Sequence, residues 1–298
     1  MEKAQIERKN VHKEDYSQGV KAFFKSIWEN KLSRVGLLIL SFFLIISIFG
    51  PMFLENPKSD YLNRLQPPSL EHPLGTDYAG KDTLVQLILG SRDVLLVAAY
   101  TAVFAISFAC LVGVSAGLFG GKVDAILMMI TNIILTIPSF PVTMILSMAI
   151  EVRNQLSFGL VLSLWSWAGL ARAIRAQVLN IKHSDFIEAS RIMGLSSFKI
   201  IINDILPNIV SYIAVNFIAI MKGAILASVG LMYLGLVPFQ GNHWGMMISL
   251  ALSQTGALLG SASMVYFISP VVSILMFQLG CYLFATGLDE ALNPRLRA

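Results

Sequence analysis

The sequence predicts an all-α polytopic membrane protein, and three observations carry that prediction. Of the 298 residues, 55% are hydrophobic and only 13% charged, where a soluble domain carries about 25% charged residues. The apolar residues gather into runs of about 20, the length a helix needs to cross a ~30 Å hydrocarbon core. No Asp, Glu, Lys or Arg occurs from Gly223 to Leu288. As a single helix that stretch would extend about 99 Å, so it must turn back on itself. The net charge of +4 does not point to nucleic acid, because the basic residues crowd into short segments beside the apolar runs, where they encode topology. Cys110 and Cys281 both lie in apolar runs, as small packing residues rather than a disulfide or metal ligands.

Taken in order, the chain begins with a polar, basic segment, 1–34. Within it Tyr16 to Asn30 reads as an amphipathic helix on the inner membrane surface, with Val20, Phe23, Phe24, Ile27 and Trp28 on one face, or as a flexible tail. The first span is Val35 to Leu54, too long for the apolar core of a signal peptide. A polar segment, 55–93, follows, in which Pro73 and Gly75 suit a turn and Asp77 suits a cap for the next helix. The second span runs from Val94 to Phe119, and Gly113, Gly117 and Gly121 give it a small-residue face for close packing. In the third, Ala125 to Ile150, Pro138 and Pro141 predict a kink that frees backbone carbonyls for a neighbouring helix or a pathway. The fourth, Leu156 to Ala171, continues as a basic helix through Arg172, Arg175 and Lys182. The fifth starts at Asn208 and carries Lys222, which faces a cavity or snorkels to water. Lys222, Ser228, Pro138 and Pro141 are the candidates for a translocation path. After a turn at Pro238 to Gly245 and an apolar loop, the sixth span covers Met264 to Leu288. The five spans of 94–288 form one core with the loop 182–207, and 289–298 is a tail.

Two enzyme-like patterns fail on chemistry. Gly75 to Lys81 has most of a phosphate-binding loop, but Asp82 stands where a magnesium-binding hydroxyl is needed, and no strand precedes it. Gly113-Val-Ser-Ala-Gly117 matches a nucleophile elbow, yet His12, His72, His183 and His243 all fall outside the spans. A secondary transporter is the different-class alternative, but no Asp or Glu lies within an assigned span to bind a coupling ion. The same absence, with no Ser-His pair, argues against an intramembrane protease.

The central loop, Asp185 to Pro207, carries the most information. It reads as helix, stop, helix. Asp185 can cap a helix beginning at Phe186, with Glu188 as the reciprocal partner in a capping box. Phe186, Ile187, Ala189 and Met193 make that helix amphipathic, and Gly194 ends it in a left-handed conformation. Ser196 or Ser197 caps a second short helix that yields near Pro207.

Glu188-Ala-Ser190, Gly194 and Ile205-Leu-Pro207 together resemble the EAA loop of permease subunits in binding-protein-dependent ABC importers, with Ser190 in place of the usual alanine. His72-Pro-Leu-Gly-Thr-Asp77, Gly80-Lys-Asp82, Trp244-Gly245 and the ending through Asn293-Pro-Arg-Leu296 are similar to the dipeptide, oligopeptide and nickel subfamily, and within it to the second permease type. Lys81 departs from the usual arginine, and Ala285-Thr286 from Gly-Asp. The resemblance implies a type I importer permease fold with six transmembrane helices, whose loop couples to a cytoplasmic ATPase through Asp185, Phe186, Glu188, Ala189, Ser190, Gly194, Leu206 and Pro207. It implies as partners a homologous permease, two ATPase subunits that hold the ATP and magnesium, and an extracytoplasmic solute-binding protein. No catalytic residue, metal or cofactor is expected on this chain. Di- and oligopeptides are the first expected substrates, with nickel or other metal chelates and oligosaccharides next. Sixteen Lys and Arg residues fall on the side of the central loop and both termini, against five opposite. That asymmetry puts the loop and termini in the cytoplasm of a prokaryote, at its inner membrane.

Overall fold

Because the bilayer offers backbone groups no water, a chain of this composition satisfies them within helices. The computed structural model describes residues 28, 30–150, 152–237, 241–255 and 261–292. Its helices are α1 (Lys31–Phe53), α2 (Thr83–Phe119), α3 (Gly121–Thr136), α4 (Ser139–Ala149), α5 (Gln155–Ile181), α6 (Asp185–Ile192), α7 (Ser197–Ile200), α8 (Leu206–Tyr233), α9 (Trp244–Thr255) and α10 (Ser261–Leu292). No strand occurs among the described residues, and Thr76 with Asp82 makes an isolated bridge. The N-terminal stretch before Asn30 lies outside them apart from Trp28, so the surface-helix reading of Tyr16 to Asn30 is not addressed. Five helical stretches are long and apolar enough to cross a membrane, and α3 with α4, bent by 89° at their junction, make a sixth if counted as one span.

The chain divides into two compact units, one of residues 43–275 and one of residues 1–42 with 276–298. In the smaller unit the first turns of α1 lie against the end of α10 with almost no side chain between them. A Cβ on Gly36 would meet the Phe284 amide nitrogen at 2.4 Å, and one on Gly280 would meet Ile39 at 2.8 Å.

In the larger unit α2 lies along α5, and this pair forms the core. The small-residue face is the reason. A Cβ on Gly113 would stand 2.5 Å from the Ala171 carbonyl oxygen, and one on Gly117 would stand 2.7 Å from Val178. Gly121, expected on the same face, instead opens α3 with φ +53° and nothing packed near it. The turn needs its conformation, and the packing stripe ends at Gly117. Around this contact Ala109, Val112, Ala171, Ile174 and Val178 are buried. At the same end Arg175 forks onto both carboxylate oxygens of Asp124, while Lys182 Nζ donates to the Gly117 carbonyl at 3.2 Å.

The segment between α1 and α2 is more ordered than its proline content suggests. Asp77 does not cap the following helix. Its buried carboxylate accepts from the Ala79 and Lys81 amides, both at 2.8 Å, and from Gln86 Nε2 at 3.0 Å. Asp82 is the cap, accepting from the Val85 amide at 2.8 Å while His72 Nδ1 lies 2.8 Å from its other oxygen. Helix α2 therefore starts at Thr83, well before the charge-free run. Beyond α8, the apolar loop contains a helix of its own, α9, whose Trp244 Nε1 donates to the Leu87 carbonyl at 3.0 Å. Beside it His243 is fully buried, which pushes its imidazole down to about 3, and its Nδ1 accepts from the Gly245 amide. Asp93 joins three elements here, accepting from Gln155 Nε2 at 2.6 Å and from the Asn242 amide at 3.1 Å.

The Gly113 contact makes a direct test of the helix pairing. Gly113→Val should cost about 1–3 kcal/mol through overpacking, lowering the thermal midpoint of the detergent-purified protein. Gly169→Ala, inside α5 where a Cβ meets nothing within 4 Å, should raise that midpoint slightly, since alanine is favoured over glycine in a helix interior by about 0.5–1 kcal/mol. Equal midpoints for the two variants would remove Gly113 from the packing account.

Candidate functional site

The central loop is built where α5 runs out of its partner. Ser184, not Asp185, is the N-cap residue of α6. Its hydroxyl donates back to the Ile181 carbonyl at 2.6 Å, and its own carbonyl accepts from the Ile187 and Glu188 amides. The capping box expected between Asp185 and Glu188 is therefore absent. The register is one residue earlier because the Ser184 hydroxyl closes the preceding turn. Asp185 and Glu188 instead sit in the first turn, where their charges favour the helix dipole.

The end of α6 follows the sequence closely. Gly194 has φ +74°; the Leu195 amide reaches the Ser190 carbonyl at 3.1 Å and the Gly194 amide the Arg191 carbonyl at 2.9 Å. These two bonds are a Schellman motif, which only a residue tolerant of the left-handed region completes cheaply. Ser196 then caps α7, its hydroxyl facing the Lys199 amide at 3.5 Å. The second helix does not stop at Pro207. It widens into a π turn, Ile201–Ile205, closed by the Leu206 amide on the Ile201 carbonyl, and continues as α8. Pro207 falls at the second position of α8, and the wide turn before it relieves the clash its ring would make in a regular helix.

Burial sorts the faces of the loop. Ile187 is completely buried and joins Ile200, Ile205 and Ile209 in the core between α2 and α5. Ser190 is buried beside it, so a small residue is required there. Phe186, Ala189 and Met193, at a helical spacing of three and four, point the other way into open surface. The sequence groups Phe186, Ile187, Ala189 and Met193 on one apolar face, and the structure splits it: Ile187 anchors, the rest are presented. Ile192 (81% exposed), Met193 (69%) and Phe198 (70%) extend this surface. Ile192 and Phe198 had no signal in the sequence beyond being apolar in a polar loop. Glu188 and Gly194 are exposed, Leu206 is half-buried and Pro207 exposed.

A second feature lies where α3 breaks into α4. Pro138 precedes α4 as its N-cap residue, and Pro141 falls in the first turn, where a missing amide costs nothing. The Ile134 carbonyl, whose usual partner four residues on is Pro138 with no amide hydrogen, accepts from the Ile137 amide at 3.4 Å and from Trp165 Nε1 at 3.2 Å. A pocket of about 160 Å³ sits beside it, lined in part by Ser139, Thr143, Trp165, Ser166, Gly223 and Ala227. Lys222 is half-buried on α8 next to Gly223. Ser228 is buried, its hydroxyl donating to the Ile225 carbonyl at 2.9 Å. Pro138, Pro141, Lys222 and Ser228 border the lining without contributing to it. Among the described residues no group of three His, Cys, Asp or Glu side chains is placed to hold a metal ion.

Residues 109–298 match the family described as the binding-protein-dependent transport system inner membrane component. The chain belongs to that family. It is thus a multi-pass membrane permease of an ABC transporter and a non-catalytic subunit. Residues 20–68 match the N-terminal transmembrane domain of oligopeptide transport permease C. Among similar proteins, the oligopeptide transport system permease protein OppC of Bacillus subtilis is 32% identical over 90% of this chain and 87% of its own length. The dipeptide transport system permease protein DppC of the same organism is 30% identical, over 92% and 85%. The Haemophilus influenzae OppC is also 30% identical, over 92% and 90%.

Proposed function

We propose that this permease imports di- or oligopeptides, forming half of a translocation path with a homologous permease. The peptide reading rests on the names of its relatives and on its match to an oligopeptide permease N-terminal domain. In this reading two cytoplasmic ATPase subunits drive transport, and an extracytoplasmic binding protein delivers the cargo. The observation that carries the coupling role is the divided face of α6. Ile187 and Ser190 fix the helix to the core, while Phe186, Ala189, Met193 and Phe198 present an apolar surface and Glu188 is exposed on the same loop. An apolar surface on a charged cytoplasmic loop is a protein-docking surface, and the ATPase is the partner an importer must engage there. Closure of the ATPases on ATP would move α6, and through the continuous helix of α7 and α8 it would reorient the path. Both termini lie in the cytoplasm.

Three outcomes test this reading. The left-handed conformation of Gly194 costs a residue with a β-carbon roughly 1 kcal/mol, so Gly194→Val should misdirect α7, and Glu188→Lys should reverse a charge on the docking surface. In the reconstituted complex both should weaken ATPase co-purification or abolish stimulation of ATP hydrolysis by loaded binding protein. Normal hydrolysis and uptake in both variants would dismiss the loop as the coupling element.

Orientation is checked in a background lacking Cys110 and Cys281. A cysteine replacing the exposed Leu70 should react with an impermeant thiol reagent from outside, and one replacing Ala298 should not. His243, although it lies in an outer loop by the same assignment, is buried and unsuitable as a reporter. Reversed labelling would put the central loop outside and end the docking account. For the path, Lys222→Met should change uptake while leaving assembly intact. Unchanged uptake across cargo and pH would assign the lysine a packing role.

A further inference from the structure

The geometry points to the pocket beside the α3–α4 break as a subsite for an apolar side chain of the cargo, up to the size of a leucine or phenyl group. This rests on the peptide reading above. Two properties of the pocket set the ligand class. Its volume, about 160 Å³, is close to that of a cavity known to admit benzene, about 150 Å³. Its polar groups are mostly engaged: the Thr143 hydroxyl donates to the Ser139 carbonyl, the Ser166 hydroxyl to Leu162 and the Trp165 indole to Ile134. The larger part of the surface facing the space is apolar, with Phe140, Trp165 and Ala227 exposed or half-buried in its lining and Ser139 at an exposed rim. No ionisable side chain lines it. Such a site favours a neutral, apolar group and gives a charged one nothing.

The surroundings say which occupant reaches it. The pocket is on a face unsuited to lipid. The α3–α4 break beside it interrupts a would-be span with a bend of 89°, and residues 137–141 at that break are exposed. Broken helical backbone at membrane depth is stable against water or protein, not against acyl chains. A water-filled path satisfies this feature, and in a peptide importer the apolar group that enters such a path is a side chain of the cargo. Small residues on α8, Gly223, Ala224 and Ala227, are what leave the space open.

The test uses the complete importer complex in proteoliposomes with saturating binding protein, and compares uptake of triglycine with that of Gly-Phe-Gly. Ala227→Leu fills the pocket. It should lower Gly-Phe-Gly uptake at least tenfold relative to triglycine, the discrimination expected when a bulky apolar group loses its pocket. Equal loss of both peptides, or loss of neither, overturns the subsite. In the background lacking Cys110 and Cys281, Ala227→Cys should react with an impermeant thiol reagent, more slowly when Gly-Phe-Gly is being transported. No reaction with or without ATP would mean that lipid or the second permease covers the pocket, which also overturns the proposal. If the wild-type complex carries neither peptide, the substrate reading itself is wrong and the subsite falls with it. The labelling result then separates an open cavity of another purpose from a covered one.

Discussion

The close approach of α2 and α5 is the constraint from which the rest of the larger unit follows. Two helices separated by side chains would leave room for adjustment. Helices whose backbones meet at Gly113 and Gly117 do not have it, since a single added carbon collides with a carbonyl or a β-branched side chain. That contact fixes the register of α5, and the register of α5 fixes where its far end leaves the core. Arg175 and Lys182 hold the same end by fastening to Asp124 and to the Gly117 carbonyl. The central loop is consequently presented from a rigid base. Ile187, Ile200, Ile205 and Ile209 return to that base, and each buried isoleucine contributes about 1.5–3 kcal/mol of apolar burial. A helix of eight residues does not persist alone in water; α6 persists because its inner face is built into this core.

Much of the fold was legible because its signals are coarse. Apolar run length, the glycine interval and the proline pair each reflect a strong physical demand and located an element, although α2 begins eleven residues before its charge-free run and Gly121 left the packing stripe for a turn. The match of Gly194 between reading and structure has the same origin, since few residues finish a helix in the left-handed region. The misses arise where adjacent residues compete for one role. Ser184 and Asp185 are both good caps, and the choice depended on the Ser184 hydroxyl bonding backwards to Ile181, which no pattern reveals. Asp77 and Asp82 competed in the same way. Asp77 was captured by amides of its own turn and by Gln86, leaving the helix entrance to Asp82. The helix α9 was hidden because a short amphipathic helix and an apolar loop look alike in a stretch without charges.

The division of the α6 face shows a different limit. Periodicity tells which residues share a side of a helix, but not whether that side meets the core. Phe186, Ala189 and Met193 keep a regular stripe and are exposed, whereas Ile187 and Ser190 are buried although one of them is polar. In a soluble protein the apolar stripe faces inward almost by definition. In the docking reading proposed above that inference reverses, because the other half of the interface would belong to another chain.

The π turn before Pro207 gives the loop a property that neither helix has by itself. Ile200 and Ile205 are five residues apart, too many for one turn of α-helix, yet both are buried in the same core. The wide turn absorbs the surplus residue. Everything beyond it is thereby offset by about 100° from the phase that a regular helix would have carried forward. The side of α8 that holds Gly223, Ala224 and Ala227 toward the pocket is thus not set by α8 alone. It is set by one residue's worth of winding at the end next to the central loop, as the position of a clock hand is set by the gearing behind the dial. The length of the segment between the loop and the path is therefore as much a part of the site as its composition.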